Sequence, residues 1–226
     1  MRLFTVLFLT STLFAATAYA GGVGLGATRV VYSGAASQST LQVRNTHPAS
    51  TFLIQSWVEN AAGERSNDFI ITPPLYVLKP STESVVKIMF TGKALPEDRE
   101  TLYWITVKAI PQQNNAGTTN SLQFASAIRI KIFYRPESIS QDASHAWKKL
   151  GGIVRDGKIT LTNPTPYYLT TINLKIDGKP VAPVMVPPRA NLTLEGSFAS
   201  PRTLSYQIIN DFGAWTPPTN ITLTHN

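Results

Sequence analysis

The stretch 121–136, SLQFASAIRIKIFYRP, has the composition of a long β-strand, yet it carries cations inside an apolar run and ends at a proline. Branched and aromatic residues favour strands, and successive side chains along a strand point to opposite faces. One face carries Leu122, Phe124, Ser126, Ile128 and Ile130, and the other carries Gln123, Ala125, Ala127, Arg129 and Lys131. This alternation is typical of a half-buried strand in a β-sandwich, with one face in the core and one in water.

The first half of this stretch is unusual because both of its faces carry apolar or small residues. An edge strand with an exposed apolar face promotes aggregation unless something covers it. A covering partner would add a strand and bury alternate side chains. Full burial of Leu122 and Phe124 would contribute about 1.5–3 kcal/mol each. We therefore expect this strand to be lent to another protein.

Such an interface needs a device that sets its register, because a slip of one residue reverses every face. A cation that holds a chain-end carboxylate would do this, and Arg29 and Lys131 are the candidates. The sequence does not place them together, although the first and last strands of an immunoglobulin-type sandwich can lie side by side. Lys131 also has the opposite parity to Leu122 and Phe124, so a bulge, a strong twist or the position of the cleft must reconcile their directions.

The rest of the chain predicts an all-β protein, because short runs of branched and aromatic residues alternate with Gly, Pro, Asn and Ser. Before Pro136 the predicted strands are 28–32, 39–44, 52–59, 69–72, 84–90, 101–110 and 121–134. Seven strands with turn signals between them are typical of an immunoglobulin-like β-sandwich.

A second β series follows a polar segment. Asp156-Gly157 lies between two apolar arms, which is a strong hairpin signal, and Asp177-Gly178 repeats it. Further strands are expected at 168–176, 191–195, 203–210 and 220–224. The predicted domains are an N-terminal immunoglobulin-like domain with the lent strand at 21–137, a linker at 138–146 and a C-terminal β-sandwich domain at 147–226. Two sandwiches on a short linker leave a cleft between them.

The beginning of the chain predicts secretion. Residues 1–20, MRLFTVLFLTSTLFAATAYA, combine one cation, an apolar run and an A-x-A-like end, as a signal peptide does. The apolar run is short for a membrane span, so we expect no membrane insertion. The chain has no cysteine and a net charge of +7, but its cations are scattered, and with secretion this argues against nucleic acid.

Motifs for catalysis, metals and cofactors are not found in the sequence. His47, His145 and His225 lie far apart, without partners at metal-ligand spacing. The glycine-rich segment 21–26 precedes the first strand and opens no helix, so it does not fit a dinucleotide site. We therefore expect no catalytic residue, no metal and no cofactor. Two alternatives stay open: a pilus subunit or adhesin, and a β-sandwich enzyme acting on sugars through Glu97, Asp98, Trp104 or Trp147.

Several segments together resemble one family, the periplasmic pilus chaperones of the chaperone–usher pathway. Residues 95–111, LPEDRETLYWITVKAIP, resemble the family signature, with Thr106 where the pattern has Asn or Cys. Four more segments are similar and occur in the family's order over both domains: FIITPPLYVLKP (69–80), IKIFYRP (130–136), NPTPYY (163–168) and INDF (209–212).

The resemblance implies two immunoglobulin-like domains joined at an angle, and a function in the periplasm. It implies that the protein caps pilus subunits by donor-strand complementation and delivers them to an outer-membrane usher. Arg29 and Lys131 match the pair that anchors the subunit's terminal carboxylate. The other implied roles are a donor strand of Leu122, Phe124, Ser126 and Ile128, and an interdomain charge network of Glu100, Arg135 and Asp211.

Two further features concern the donor strand. Ser126 is small and polar where the family has a larger apolar residue, and Ile128 is placed to compensate. The nine residues 112–120, without a cysteine pair, resemble the short-loop class of the family. The exposed apolar strand also leads us to expect a self-capping homo-oligomer of the free protein.

Overall fold

A computed structural model describes residues 21–112, 124–141 and 143–225. The predicted signal peptide, Leu122 and most of the 112–120 loop lie outside these ranges. Within them, no helix is both long enough and apolar enough to cross a membrane. The described chain forms two β-sandwich domains, as the sequence predicts.

The first domain packs a four-stranded sheet against a five-stranded sheet. Its strands are β1 (Val23–Leu25), β2 (Arg29–Ser33), β3 (Ser39–Asn45), β4 (Phe52–Asn60), β5 (Phe69–Thr72), β6 (Leu75–Leu78), β7 (Glu83–Phe90), β8 (Thr101–Pro111) and β9 (Ser126–Arg135). The orders are β1-β3-β7-β5 and β2-β9-β8-β4-β6. β2 runs parallel to β9, while the other pairs are antiparallel. The core between the sheets includes Tyr32, Leu41, Ile54, Ile88, Ile105 and Ile132.

The second domain has the same two-layer arrangement. Its strands are β10 (Gly151–Arg155), β11 (Lys158–Asn163), β12 (Leu169–Ile176), β13 (Lys179–Pro180), β14 (Met185–Val186), β15 (Ala190–Thr193), β16 (Thr203–Ile208), β17 (Thr219–Thr222) and β18 (Thr224–His225). One sheet has the order β15-β11-β10-β18. The other has the order β13-β12-β16-β17, and β14 also pairs with β12.

Both Asp-Gly hairpins are confirmed. Asp156 and Gly157 have φ values of 51° and 70°, and Asp177 and Gly178 have values of 47° and 79°. Two consecutive positive φ values match a type I′ turn, whose twist suits a two-residue hairpin. The Asp177 carboxylate also accepts hydrogen bonds from the backbone amides of Thr203 and Arg202, which lower its pKa.

Residues 121–123 of the predicted strand 121–134 lie outside the described ranges, and within them the strand begins at Ser126. The neighbouring β8 accounts for this start: it ends at Pro111, two residues beyond the Ala109 that pairs with Ser126, and proline has no N–H to donate to an adjoining strand. The short strands β1 and β6 were not predicted. Glycines interrupt the first, and prolines flank the second, so neither has a clear strand pattern.

The segment between the domains is not plain coil. It contains the 3₁₀ helices Glu137–Ile139 and Ala143–Lys149. Ala146 is buried in the core of the second domain, and Trp147 packs against the same core. The end of the predicted linker 138–146 therefore packs with the second domain, although its polar composition gave no helical signal.

Among the described residues, each domain has one buried asparagine that bonds to loop backbone. In the first domain, the Asn45 amide donates to the carbonyls of Ser50 and Lys79. In the second, the Asn163 amide donates to the Tyr167 and Pro187 carbonyls, both at 2.8 Å. Its carbonyl oxygen accepts from the amide and hydroxyl of Thr165. The Asn163 bonds fix the loop that leads to Tyr168, whose backbone amide makes an interdomain contact described below.

We predict that Asn163→Ala lowers the free energy of unfolding of the protein by about 2–4 kcal/mol, because it leaves several buried groups without partners. Urea denaturation followed by tryptophan fluorescence measures this loss. The control is Asn191→Ala, at an exposed residue of β15, expected to change stability by less than about 0.5 kcal/mol. Equal effects of the two substitutions would contradict the role given to Asn163.

Candidate functional site

The two domains meet around the buried guanidinium of Arg135, at the end of β9. Its Nε donates to Glu100 Oε1 at 2.8 Å. Its two terminal nitrogens donate to Asp211 of the second domain at 2.7 and 2.9 Å. Glu100 in turn accepts from the backbone amide of Tyr168 at 2.8 Å. The three residues predicted as a charge network are therefore in contact, and they connect the domains.

Burial governs the electrostatics of this group. Burial raises the pKa of the Glu100 carboxyl, against the opposing effect of Arg135. Burial alone would lower the pKa of Arg135, but the bonds to Asp211 and Glu100 outweigh it and raise that pKa. An arginine bonded to two carboxylates stays charged under all ordinary conditions, so the Arg135 guanidinium is a permanent cation at this junction.

Arg29 and Lys131 lie side by side in the cleft next to this cluster. They are register partners in the parallel pair β2 and β9. Arg29 donates from Nη1 to the Ile209 carbonyl at 2.8 Å, and its guanidinium carbon lies 5.7 Å from the centre of the Phe133 ring. The Lys131 ammonium lies 3.5 Å from the Thr170 hydroxyl. Both side chains thus reach from the first domain to the second.

The charge of this pair is poorly compensated. Arg29 is 7% exposed, and its Nε has no hydrogen-bond partner. Burial lowers the pKa of Arg29. The carboxylates of Asp211 and Glu100 act in the opposite direction, but both are bonded to Arg135 and not to Arg29. Burial also lowers the pKa of Lys131, and the charge of Arg29 lowers it further. Two adjacent, partly buried cations without a carboxylate of their own form a site that can take an anion.

The parity problem is resolved without a bulge. β9 pairs with β8 at every residue from Ser126 to Tyr134, without a shift of register. Even positions such as Ile130 and Ile132 are buried in the first core, and the odd position Lys131 points to the cleft. One face of β9 therefore packs in the core of the first domain, and the other face carries Lys131 into the cleft.

The first half of β9 has an open edge. β8 covers one side of it throughout, but β2 begins only at Arg29, opposite Lys131. No described strand pairs with residues 126–130 on that side. Phe124 is 78% exposed, Ser126 is exposed, and Ile128 packs partly against the first core. An added strand here would continue the line of β2 and end against Arg29 and Lys131.

Comparison with known proteins agrees with this geometry. Residues 22–140 match the model of the PapD N-terminal domain of pili and flagellar-assembly chaperones. Residues 145–220 match the model of the PapD C-terminal domain of pili assembly chaperones. The chain belongs to the PapD family of pilus-assembly chaperones.

Individual family members are similar over nearly the whole chain. The chaperone FocC of Escherichia coli is 42% identical over 220 residues, 96% of each chain. The periplasmic chaperone SfaE has a solved structure with 41% identity and a TM-score of 0.77, which covers 90% of this chain and 100% of its own. The SafB chaperone of Salmonella enterica, solved in complex with the SafA pilin, is 33% identical, with a TM-score of 0.80 and coverages of 89% and 96%.

Sequence reasoning missed a set of aromatic and charged side chains beside Lys131. Trp57 donates from its indole nitrogen to Glu59 at 2.8 Å, and Glu59 pairs with Arg129 at 2.7 Å. Arg129 stacks over Trp104 at 4.4 Å, and the Lys131 ammonium lies 5.8 Å from the same ring. The indole therefore borders Lys131 on the side away from Arg29. Alternating aromatic and charged residues in β4 and β8 were the available signal.

The arrangement does not favour the enzyme alternative. Asp98 is exposed, and its hydrogen bond to Arg99 lowers its pKa, which does not suit a general acid. Glu97 and Trp147 line different cavities. Among the described residues there is also no group of three or more His, Cys, Asp or Glu side chains placed to hold a metal ion.

We predict that Arg29→Ala raises the pKa of Lys131, because it removes one of the two causes that lower it. In the unmodified protein, Lys131 should lose its charge at a lower pH than an ordinary lysine. An NMR titration of the lysine side-chain methylene groups measures both values. Arg44→Ala, at an exposed arginine of β3, is the control and should leave the Lys131 pKa unchanged. A Lys131 pKa that does not respond to Arg29→Ala would contradict the predicted coupling.

Proposed function

We propose that this chain is a periplasmic chaperone that binds and caps pilus subunits by donor-strand complementation and delivers them to an outer-membrane usher. The observation that carries the proposal is the open edge of β9 that ends at the uncompensated pair Arg29 and Lys131. Family membership supports it, as do the names of relatives: SfaE is called periplasmic, and SafB was solved with a pilin. The outer-membrane usher is part of the proposal because the sequence resembles chaperones of the chaperone–usher pathway.

The edge and the cations together define the direction of the bound strand. An incoming strand that continues the line of β2 and places its carboxyl terminus at Arg29 runs parallel to β9. Its last carboxylate accepts hydrogen bonds from the guanidinium and the ammonium, which are charge-assisted and therefore strong. This contact fixes the register, and a fixed register determines which side chains of β9 face the subunit.

The donor strand supplies apolar surface to the subunit. We assign Leu122, Phe124, Ser126 and Ile128 to this role, in agreement with the exposure of Phe124. Ser126 offers little apolar area, so Phe124 and Leu122 provide most of the burial. No bond of the subunit is broken in this process. The free energy comes from burying donor and subunit side chains together, and the proposed function therefore requires no catalytic residue, metal or cofactor.

The charge network of Glu100, Arg135 and Asp211 keeps the two walls of the cleft together in this proposal. We place the N-terminal domain at 21–137, the linker at 138–146 and the C-terminal domain at 147–226, after a signal peptide at 1–20. We also propose that the free protein self-associates through the exposed donor strand, which would cover Phe124 until a subunit arrives.

Removal of either anchor cation is expected to abolish subunit capture. We predict that Lys131→Ala and Arg29→Ala each lower the yield of complex by about tenfold or more, since a charge-assisted contact is lost. The measurement is co-purification from the periplasm with pilus subunits encoded beside this gene. Lys87→Ala, at an exposed lysine of β7, and Arg44→Ala, at an exposed arginine of β3, are matched controls and should give normal yields. Normal yields from both anchor variants, with circular dichroism showing folded protein, would refute the anchoring role.

Truncation of the donor strand is expected to weaken subunit binding without destabilising the chaperone. We predict that Phe124→Ala increases the dissociation rate of the subunit complex by about tenfold or more, because a side chain buried only in the complex is lost. The melting temperature of the free protein should not change. Val85→Ala, 51% exposed on the other sheet, is the control and should leave dissociation unaffected. An unchanged dissociation rate in Phe124→Ala would remove Phe124 from the donor strand.

A further inference from the structure

A cavity of about 290 Å³ lies between the domains, directly beyond the anchor cations. Its walls include Arg29 and Phe133 of the first domain and Leu169, Ile209, Phe212 and Trp215 of the second. We call it the hinge cavity. Ile209 contacts the anchor pair directly, because its carbonyl accepts from Arg29. Leu169 precedes Thr170, whose hydroxyl lies 3.5 Å from the Lys131 ammonium. Arg29 therefore belongs both to the anion site and to the wall of the cavity.

Two exposed aromatic residues stand at the cavity. Phe212 is 95% exposed and Trp215 is 59% exposed. Their loop is held by its own hydrogen bonds, since the side-chain carbonyl of Asn210 accepts from the amides of Phe212 and Ala214, both at 3.0 Å. Ile209 and Trp215 also form a β-bridge. Aromatic side chains held in water next to a cavity are typical of a docking site, because nothing in the fold of the chain requires them.

The aromatic loop is close to the place where a bound chain would end. A Cβ atom added at Gly213 would lie 2.5 Å from the hydroxyl of Thr28, the residue before β2. A strand that continues the line of β2 along β9 stops at this same point. The final side chain of that strand would therefore lie within reach of Phe212 and of the cavity wall formed by Arg29.

The size and character of the cavity suit a single large apolar side chain. A closed apolar cavity of roughly 150 Å³ holds benzene, so the larger hinge cavity accommodates an aromatic ring. The cavity is also lined by Glu100, Arg135 and Asp211, whose charges are paired with one another. Aromatic walls with Arg29 at one side and this closed ion cluster at another suit a group that is apolar but adjoins a carboxylate. The unpaired Nε of Arg29 provides a donor for that carboxylate at the boundary of the cavity.

We propose that the hinge cavity is a pocket for the side chain of the last residue of the bound subunit, and that it selects an apolar or aromatic residue there. This inference rests on the proposed function, since it takes the chain-end carboxylate to be held by Arg29 and Lys131. It adds a selection by side chain to an anchor that by itself recognises only the main-chain carboxylate.

The test uses the whole secreted protein and six synthetic peptides. Each peptide is a ten-residue strand of alternating valine and threonine that ends in Phe, Leu or Gly, as free acid or as amide. Isothermal titration calorimetry measures the dissociation constants. The free acids ending in Phe and Leu are expected to bind about tenfold more tightly than the acid ending in Gly, because they bury an additional side chain.

Variants locate the selection in the cavity. Phe212→Ala and Trp215→Ala should reduce the preference for Phe over Gly to about twofold or less, while the preference for acid over amide is retained. Ile70→Ala, at an exposed apolar residue of β5, is the control and should keep both preferences. Because Phe212 is almost fully exposed, its substitution leaves the folded state intact, which a thermal melt verifies.

The outcomes separate the two levels of the proposal. Equal binding of the Phe, Leu and Gly acids, with amides weaker, would overturn the cavity proposal and leave the anchor in place. A preference for Phe that persists in both aromatic variants would also overturn it. Equal binding of acids and amides, or no binding of any peptide at millimolar concentration, would contradict the anchor and with it the placement of the last side chain.

Discussion

The cleft depends on the ion cluster of Arg135 with Glu100 and Asp211. Taking charges out of water is costly, and only close, fully bonded geometry offsets that cost. Here a single guanidinium occupies two carboxylates, one from each domain. Because both acids are bonded to Arg135, no carboxylate in the described part of the chain neutralises Arg29 and Lys131, and the cleft is left able to attract an anion.

The second constraint is the length of β2. Had it begun several residues earlier, it would have paired with the whole of β9, and the sheet would have had no opening there. Starting at Arg29, it closes the half of β9 that contains Ile132 and leaves the half that contains Ser126 open. The open edge and the cations therefore meet at one point, so shape and charge specify the same end of an incoming strand.

The parts of this architecture that could be predicted from sequence are those encoded locally. The Asp156-Gly157 and Asp177-Gly178 turns need positive φ at two adjacent residues, and Asp-Gly is a residue pair that favours this conformation. The proximity of Arg29 to Lys131 has no local cause, since it results from a parallel pairing between strands far apart in the chain. The stacking of Arg129 on Trp104 requires the register between β8 and β9, and the hinge cavity requires the docking of two domains. Such features arise only when separate elements pack together.

The first half of β9 extends beyond the start of β2, and we call this part the overhang. It affects which substitutions the protein tolerates during evolution. Ser126 and Phe124 support little of the chaperone's own core, whereas Ile130 and Ile132 in the same strand are buried in it. Substitutions in the overhang are thus largely free of the stability threshold that restricts core residues. One strand thus combines a half that the core constrains with a half that can diverge. Under the proposed donor-strand role, partner preference can therefore drift while the scaffold stays constant.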